Sequence, residues 1–441
     1  MQKRIALFSP VTNDFREWYI LTDVLKTTLE KNYDLTHFAE EEGAGAVAYH
    51  EFTWRNIKNP FDLVIYNFSR GEGSAYMVPF LLTKPGLLIF RSTSFTESLW
   101  RMHTLDGTEK DFLDEMAYCY GKNGALLGNL MWRGMWGEQL ERKFPLLKLA
   151  AHSSIAVCGF DSWMIERIAR ESVYGEHRLL PSPFIYNTKE KTRPLSLLTL
   201  YTTEYPLLIE LILAAAREAG VSNPGFTITV VTDEENREKV NSLIAKERLE
   251  SIAKALVPED SKVMDSLFVD ASIFLFLEDP AAPVECMPLT LASSAGCACV
   301  LSDSLARLSM PDSVFPKFRY RDKTKGLVEI IRELLAKPEK TADLAESAKR
   351  HFFPSSYPEV STRQGDQVKI VNPEFVHSLQ DAVSFSMEAA GKYVYPLGYP
   401  EHLHNFSNRL LSSMKEKVSD FPPSKEIDEA FDDIIGSVLK K

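Results

Sequence analysis

One segment, residues 271–303, constrains the fold more than any other. Residues 273–277 form an uninterrupted apolar run, followed by a polar stretch that ends at Pro288 and holds three prolines (Pro280, Pro283, Pro288) and three carboxylates (Glu278, Asp279, Glu285). Pro288 then opens a short run of small and apolar residues that closes at Gly296, and residues 298–301 are apolar again. Proline suits a first helical turn, because the N–H it lacks would have no partner there. A strand, a small-residue helix and a second fully apolar strand are what a parallel sheet with closely packed crossovers requires. The loop at 278–287 then falls at the carboxyl edge of the sheet, where open α/β folds bind ligands.

The same alternation runs through the chain. Residues 4–9, 34–38, 61–68, 87–90 and 154–158 predict strands, and residues 15–31 predict a helix with Asp14 at its cap and Trp18, Leu21, Leu25 and Leu29 on one face. A strand–helix–strand opening implies a right-handed parallel crossover. Residues 181–194 carry Pro181, Pro183, Pro194 and a charged run, which marks a domain boundary. Beyond it, strands at 195–201, 226–232, 273–277 and 298–301 alternate with helices at 205–219 and 233–253. At 441 residues the chain is too long for one ordinary core. The expected division is a doubly wound domain over 1–182, a linker at 183–194, a second over 195–352, and an extension over 353–441. Its last stretch, 424–441, places Ile427, Ala430, Phe431, Ile434, Ile435 and Val438 on one helical face.

Composition excludes several classes. A net charge of −11 disfavours non-specific nucleic-acid binding. No run approaches about 18 consecutive apolar residues, so no membrane span is expected, and Thr12, Asn13 and Asp14 cut short any secretory signal. Five cysteines without paired spacing read as buried, reduced thiols in a cytoplasmic protein, and no metal-ligand spacing is present. The aromatic and methionine-rich stretch 105–145 (Phe112, Met116, Tyr118, Tyr120, Met131, Trp132, Met135, Trp136) reads either as a hydrophobic acceptor groove, membrane-facing surface or partner site or as helix packing, with Gly124, Gly128 and Gly134 permitting close approach; sparse basic residues favour packing. Arg319, Arg321, Lys323 and Lys325 read either as displaced positive charge or, more often for such a run, as a solvated loop.

The frame Pro288, Ala295-Gly296, Val300 and Ser302-Asp303 resembles the donor-side motif of family 4 glycosyltransferases. Tyr120-Gly121, Phe144-Pro145-Leu146-Leu147 and the strand at 154–158 are similar to an arrangement in that family's bacterial members. The resemblance covers most of residues 3–350. It implies the two-domain GT-B fold: two Rossmann-like domains facing across a cleft, with a C-terminal helical extension that crosses back to the first domain. It also implies metal-independent sugar transfer from a nucleotide-sugar, used as substrate with no cofactor, to a glycan or protein acceptor.

The chain departs from the family's pattern at four places. Its paired glutamates fall on Pro283 and Leu291, leaving Glu285 close by but out of register. Its Arg/Lys pair is replaced by Thr202, Thr203 and Glu204, the last of which would repel a diphosphate. Its first loop, Val11-Thr12-Asn13-Asp14, has no glycine, and Arg91-Ser92 stands where His-Asp is usual. A donor site carried over on these residues uses Glu285 for ribose or sugar hydroxyls and the helix start at Met287, Pro288, Leu289 and Thr290 for a diphosphate. Thr202 and Thr203 lie beside it, and Thr12, Asn13 and Arg91 line the first-domain side. No general base is identified. Two readings stand together: a glycosyltransferase with a non-standard donor site, and a catalytically inactive GT-B relative acting as a binding or assembly partner. The helix at 424–441 either crosses back or serves self-association or a protein partner.

Overall fold

The computed structural model describes residues 2–11, 21–40, 43, 45–69, 72–106, 108–135, 143–172, 175–186, 195–203, 205–220, 225–280, 283–353, 369–396 and 399–400. Two parallel sheets form its frame. The first joins β1 (Arg4–Phe8), β2 (Asp34–Ala39), β3 (Val47–Ala48), β4 (Leu63–Ser69), β5 (Gly86–Arg91), β6 (Ser154–Gly159) and β7 (Glu176–Leu179) in the order β3-β2-β1-β4-β5-β6-β7. After β8 (Phe184–Tyr186), the second joins β9 (Ser196–Tyr201), β10 (Thr227–Thr232), β11 (Ala253–Leu256), β12 (Ile273–Phe276), β13 (Ala298–Ser302) and β14 (Lys317–Phe318) in the order β11-β10-β9-β12-β13-β14. Every pairing in both sheets is parallel. Strand order reverses between β1 and β4 in one sheet and between β9 and β12 in the other, which creates a crevice at the carboxyl ends of each pair.

Burial explains why the central strands read so clearly. β4, β5, β6, β12 and β13 are buried along their whole length, as parallel strands covered on both faces must be. One apolar cluster runs from Ile5 and Leu7 through Phe160, Phe274 and Phe276 to Phe375, Leu379 and Val383, so both sheets share part of their core. Separate clusters cover the other face of each sheet.

The helix Pro373–Ala390 supplies part of the shared core and packs against β4, β5 and β6. Downstream, Tyr393 donates to the His152 carbonyl, while Tyr395 and Tyr399 donate to the Leu82 carbonyl. β15 (Lys369–Val371) pairs antiparallel with β8, which lies inside the proline-marked stretch. The expected helix at 424–441 lies outside the described residues, as do residues 15–20 and Trp136.

The stretch around 109–132 is one long helix broken at Gly121, whose φ is +66°. Phe112, Met116 and Met131 are buried, whereas Met135 is exposed. Past the break the helix doubles back so closely that a Cβ on Gly124 would run into the Met116 backbone carbonyl. Backbone cannot rotate aside as a side chain can. Gly124→Ala is therefore expected to lose about 1–3 kcal/mol despite alanine's better helix propensity, read as a lower midpoint in urea unfolding.

Three short edge strands escape the sequence reading. β3, β7 and β11 are two to four residues long and only partly buried. The expected helix over 233–253 stops at Lys246 instead, and β11 follows. Arg248 sits at φ +57° in the turn between them, which ends the helical path.

Candidate functional site

The carboxyl edges of the two sheets meet. β6 runs into Phe160 and Asp161; β12 and β13 run into Glu278 and Ser304. At this seam the Cys286 thiol lies 3.4 Å from the Phe160 carbonyl oxygen, and Arg307 Nη1 donates to Asp161 Oδ2 at 2.7 Å. Both contacts join the first sheet's surroundings to the second's.

Glu285 is the central acid. Its loop ends at the short helix Met287–Ser294, and its side chain turns back over that helix's start. Oε1 accepts the Met287 N–H at 2.9 Å, and Oε2 accepts the Tyr205 hydroxyl at 3.0 Å. Burial first, and then the negative charge of Asp161, push this carboxyl up to about 7. Arg91, the last residue of β5, pulls the other way, as do the Tyr205 and Met287 hydrogen bonds. A largely buried carboxyl facing a cation from the other sheet is poised to change protonation near neutrality.

Beside it lies a second group of charges. Arg307 is fully buried; its Nη2 donates to Glu278 Oε2 at 2.9 Å while Nη1 holds Asp161. Glu278 also accepts the Val284 N–H at 2.9 Å and the Ser304 hydroxyl at 2.8 Å, so it closes the 278–286 loop on itself. Asp161 Oδ1 caps the helix Ser162–Glu171 through the Trp163 N–H at 3.0 Å. Burial alone would lower the Arg307 pKa, yet Glu278 and Asp161 hold it above the ordinary arginine value.

The other residues singled out in the sequence fall as follows. Met287, Pro288, Leu289 and Thr290 are all buried. Pro288 has no N–H, the Met287 N–H belongs to Glu285, and the Thr290 hydroxyl donates to the Met287 carbonyl at 2.8 Å. Thr202 accepts the Tyr205 N–H at 3.0 Å, making a turn. Exposed Thr203 gives its N–H and hydroxyl to Asp233, the cap of the helix Glu234–Lys246. That turn delays the expected helix at 205, which begins at Ile209, and the Tyr205 hydroxyl donates to Glu285. Thr12, Asn13 and Glu204 lie outside the described residues. Arg319 pairs with Asp303 at 3.6 Å in a half-exposed position, as a solvated run would.

At the first sheet's reversal point a hydrogen-bonded chain is buried. Asn67 Nδ2 donates to Ser9 Oγ at 2.8 Å, Ser9 Oγ and Thr22 Oγ1 are 2.6 Å apart, and His37 Nε2 lies 2.8 Å from the Ser9 carbonyl. Burial, the largest influence, holds the His37 imidazole below its ordinary value. Sequence reasoning missed this group, and it missed Tyr205, Asp161 and Arg307, while Glu278 was placed in the carboxyl-edge loop without a role. Of the missed residues only Asp161 had a local signal, an aspartate directly before a helical run.

Among the described residues no group of three or more His, Cys, Asp or Glu could hold a metal ion, and no helix is long and apolar enough to cross a membrane. None of the five cysteines forms a disulfide, and four of them are buried.

No protein-family profile and no curated protein matches the chain. Solved structures do. Sucrose-phosphate synthase from Thermosynechococcus elongatus superposes with a TM-score of 0.58 at 12% identity, over 88% of this chain and 100% of that one. WaaG, described as a glycosyltransferase involved in lipopolysaccharide biosynthesis, gives 0.51 at 12% identity, over 80% of this chain and 96% of that one. At such identity the likeness is one of fold: two parallel sheets in the GT-B arrangement.

Proposed function

We propose that the chain transfers a sugar from a nucleotide-sugar donor to a glycan or other acceptor, through a donor site built around Glu285. The observation that carries this is the buried carboxyl itself. It stands where the carboxyl edges of two doubly wound sheets meet, between the Tyr205 hydroxyl and the start of the helix Met287–Ser294, and it faces Arg91 from the other sheet. Open α/β sheets bind ligands at this edge, and strongly shifted acids gather at working sites. Glu285 would accept sugar or ribose hydroxyls, and Arg91 would offset negative charge growing on the departing diphosphate.

A second reading has its own support. Met287's N–H is engaged by Glu285, and Arg307 is engaged by Asp161 and Glu278, so carboxylates of the chain already use groups that a diphosphate would seek. An inactive binding or assembly partner on the GT-B frame would look like this.

Thermal unfolding with a panel of nucleoside diphosphates at millimolar concentration separates the two. A ligand at a hundredfold excess over its Kd stabilises the native state by about 2.7 kcal/mol. Sugar transfer predicts a rise of several degrees with one nucleotide and loss of that rise in Glu285→Ala. No rise with any nucleotide favours the inactive partner.

A further inference from the structure

Arg307 and Asp161 do something that sugar transfer does not explain. They lie 146 positions apart, and each is rooted in a different sheet's carboxyl edge. Asp161 is 3% exposed and Arg307 fully buried. We infer that this pair is a clasp that holds the two domains closed at the seam before any ligand arrives, with Arg307 bracing the loop that carries Glu285.

Three features make it a clasp rather than an ordinary core ion pair. First, one guanidinium spans the seam: Nη1 reaches Asp161 on the first-domain side, and Nη2 reaches Glu278 on the second. Second, both carboxylates have further local duties. Asp161 caps a first-domain helix, and Glu278 closes the 278–286 loop through the Val284 N–H and the Ser304 hydroxyl. Loosening the pair therefore loosens defined segments on both sides. Third, apolar contact flanks it, with Phe160 stacked on Phe375 at 6.1 Å and Arg307 lying over the Phe276 ring at 5.4 Å. Water is kept out, so the pair is little screened by salt. Separating the domains would strand buried charges unless both sides hydrate together. A ligand that binds between the domains must open this contact or enter along its rim.

Amide hydrogen exchange on the full chain, with no ligand added, tests the clasp. Asp161→Asn keeps a capping side chain and leaves Arg307 paired with Glu278, so each domain retains its own contacts. Arg307→Lys keeps the charge but loses the planar fork that reaches both carboxylates. Both variants are expected to speed exchange roughly tenfold, a loss of about 1.4 kcal/mol of local protection. The effect should fall on peptides from both sides of the seam, around 160–165 and 284–290, while peptides from β1 and β9 stay at wild-type rates. Small-angle scattering should show a larger radius of gyration for both variants. Two results would overturn the inference: seam exchange unchanged with β1 and β9 still protected, or acceleration confined to the 160–165 side alone.

Discussion

Arg307→Ala is expected to lower the melting temperature by about 6–20 °C, the largest effect of any single change at the seam. Alanine removes the partner of two carboxylates that stay where they were, since Asp161 caps a helix and Glu278 holds the Val284 N–H and Ser304. Breaking a buried pair from one side costs about 3–5 kcal/mol, because the remaining charges have lost their solvation and gained nothing. For domains of this size, each kcal/mol moves the midpoint by about 2–4 °C. Replacing all three residues with apolar ones of similar volume should recover much of the loss, as the penalty lies in the stranded charges. Calorimetry on the single and triple variants checks this. A drop of less than about 2 °C in the single variant would mean that the carboxylates find water, and that the seam is open.

Glu285→Gln should change how stability depends on pH, and in the stabilising direction. The native carboxyl titrates near 7, against an ordinary value of 4.5. Between those two values the folded chain binds a proton that the unfolded chain has lost, so this group's contribution to stability falls as pH rises through the window. Below about 4.5 both states are protonated; above about 7 the penalty is complete and constant. A shift of this size amounts to at most about 3 kcal/mol. Glutamine keeps the acceptor for the Met287 N–H and an amide for the Tyr205 hydroxyl, yet carries no charge to desolvate. The difference in unfolding free energy between variant and wild type should therefore grow from near zero at pH 4.5 to a plateau above pH 7.5, with the variant more stable. A difference that stays flat across that range would show that Glu285 is hydrated.

Much of the frame was legible because fully apolar runs such as residues 63–66, 87–90 and 273–276 have few destinations other than a covered parallel strand. Pro288 and Gly296 bracketed their helix for equally local reasons: one lacks an N–H, and the other adopts φ +82° at the turn into β13. The edge strands β3, β7 and β11 were illegible because half-exposed pairs of two to four residues carry no periodicity. At the site, Glu285 could be singled out by its place in a loop. Its surroundings could not. Tyr205 lies 80 positions away, and the Arg307–Asp161 pair spans 146; neither distance leaves a mark on neighbouring residues. The helix start at Met287 read as an open anion site, whereas the fold turns Glu285 back onto it.

A crystal structure of the chain grown with a nucleotide-sugar at millimolar concentration would examine the proposed site itself. Sugar transfer at this seam predicts donor hydroxyls within about 3 Å of the Glu285 carboxyl, with the diphosphate turned toward Arg91. A nucleotide bound away from the seam, or a seam left empty with the Asp161–Arg307 contact intact, would contradict it.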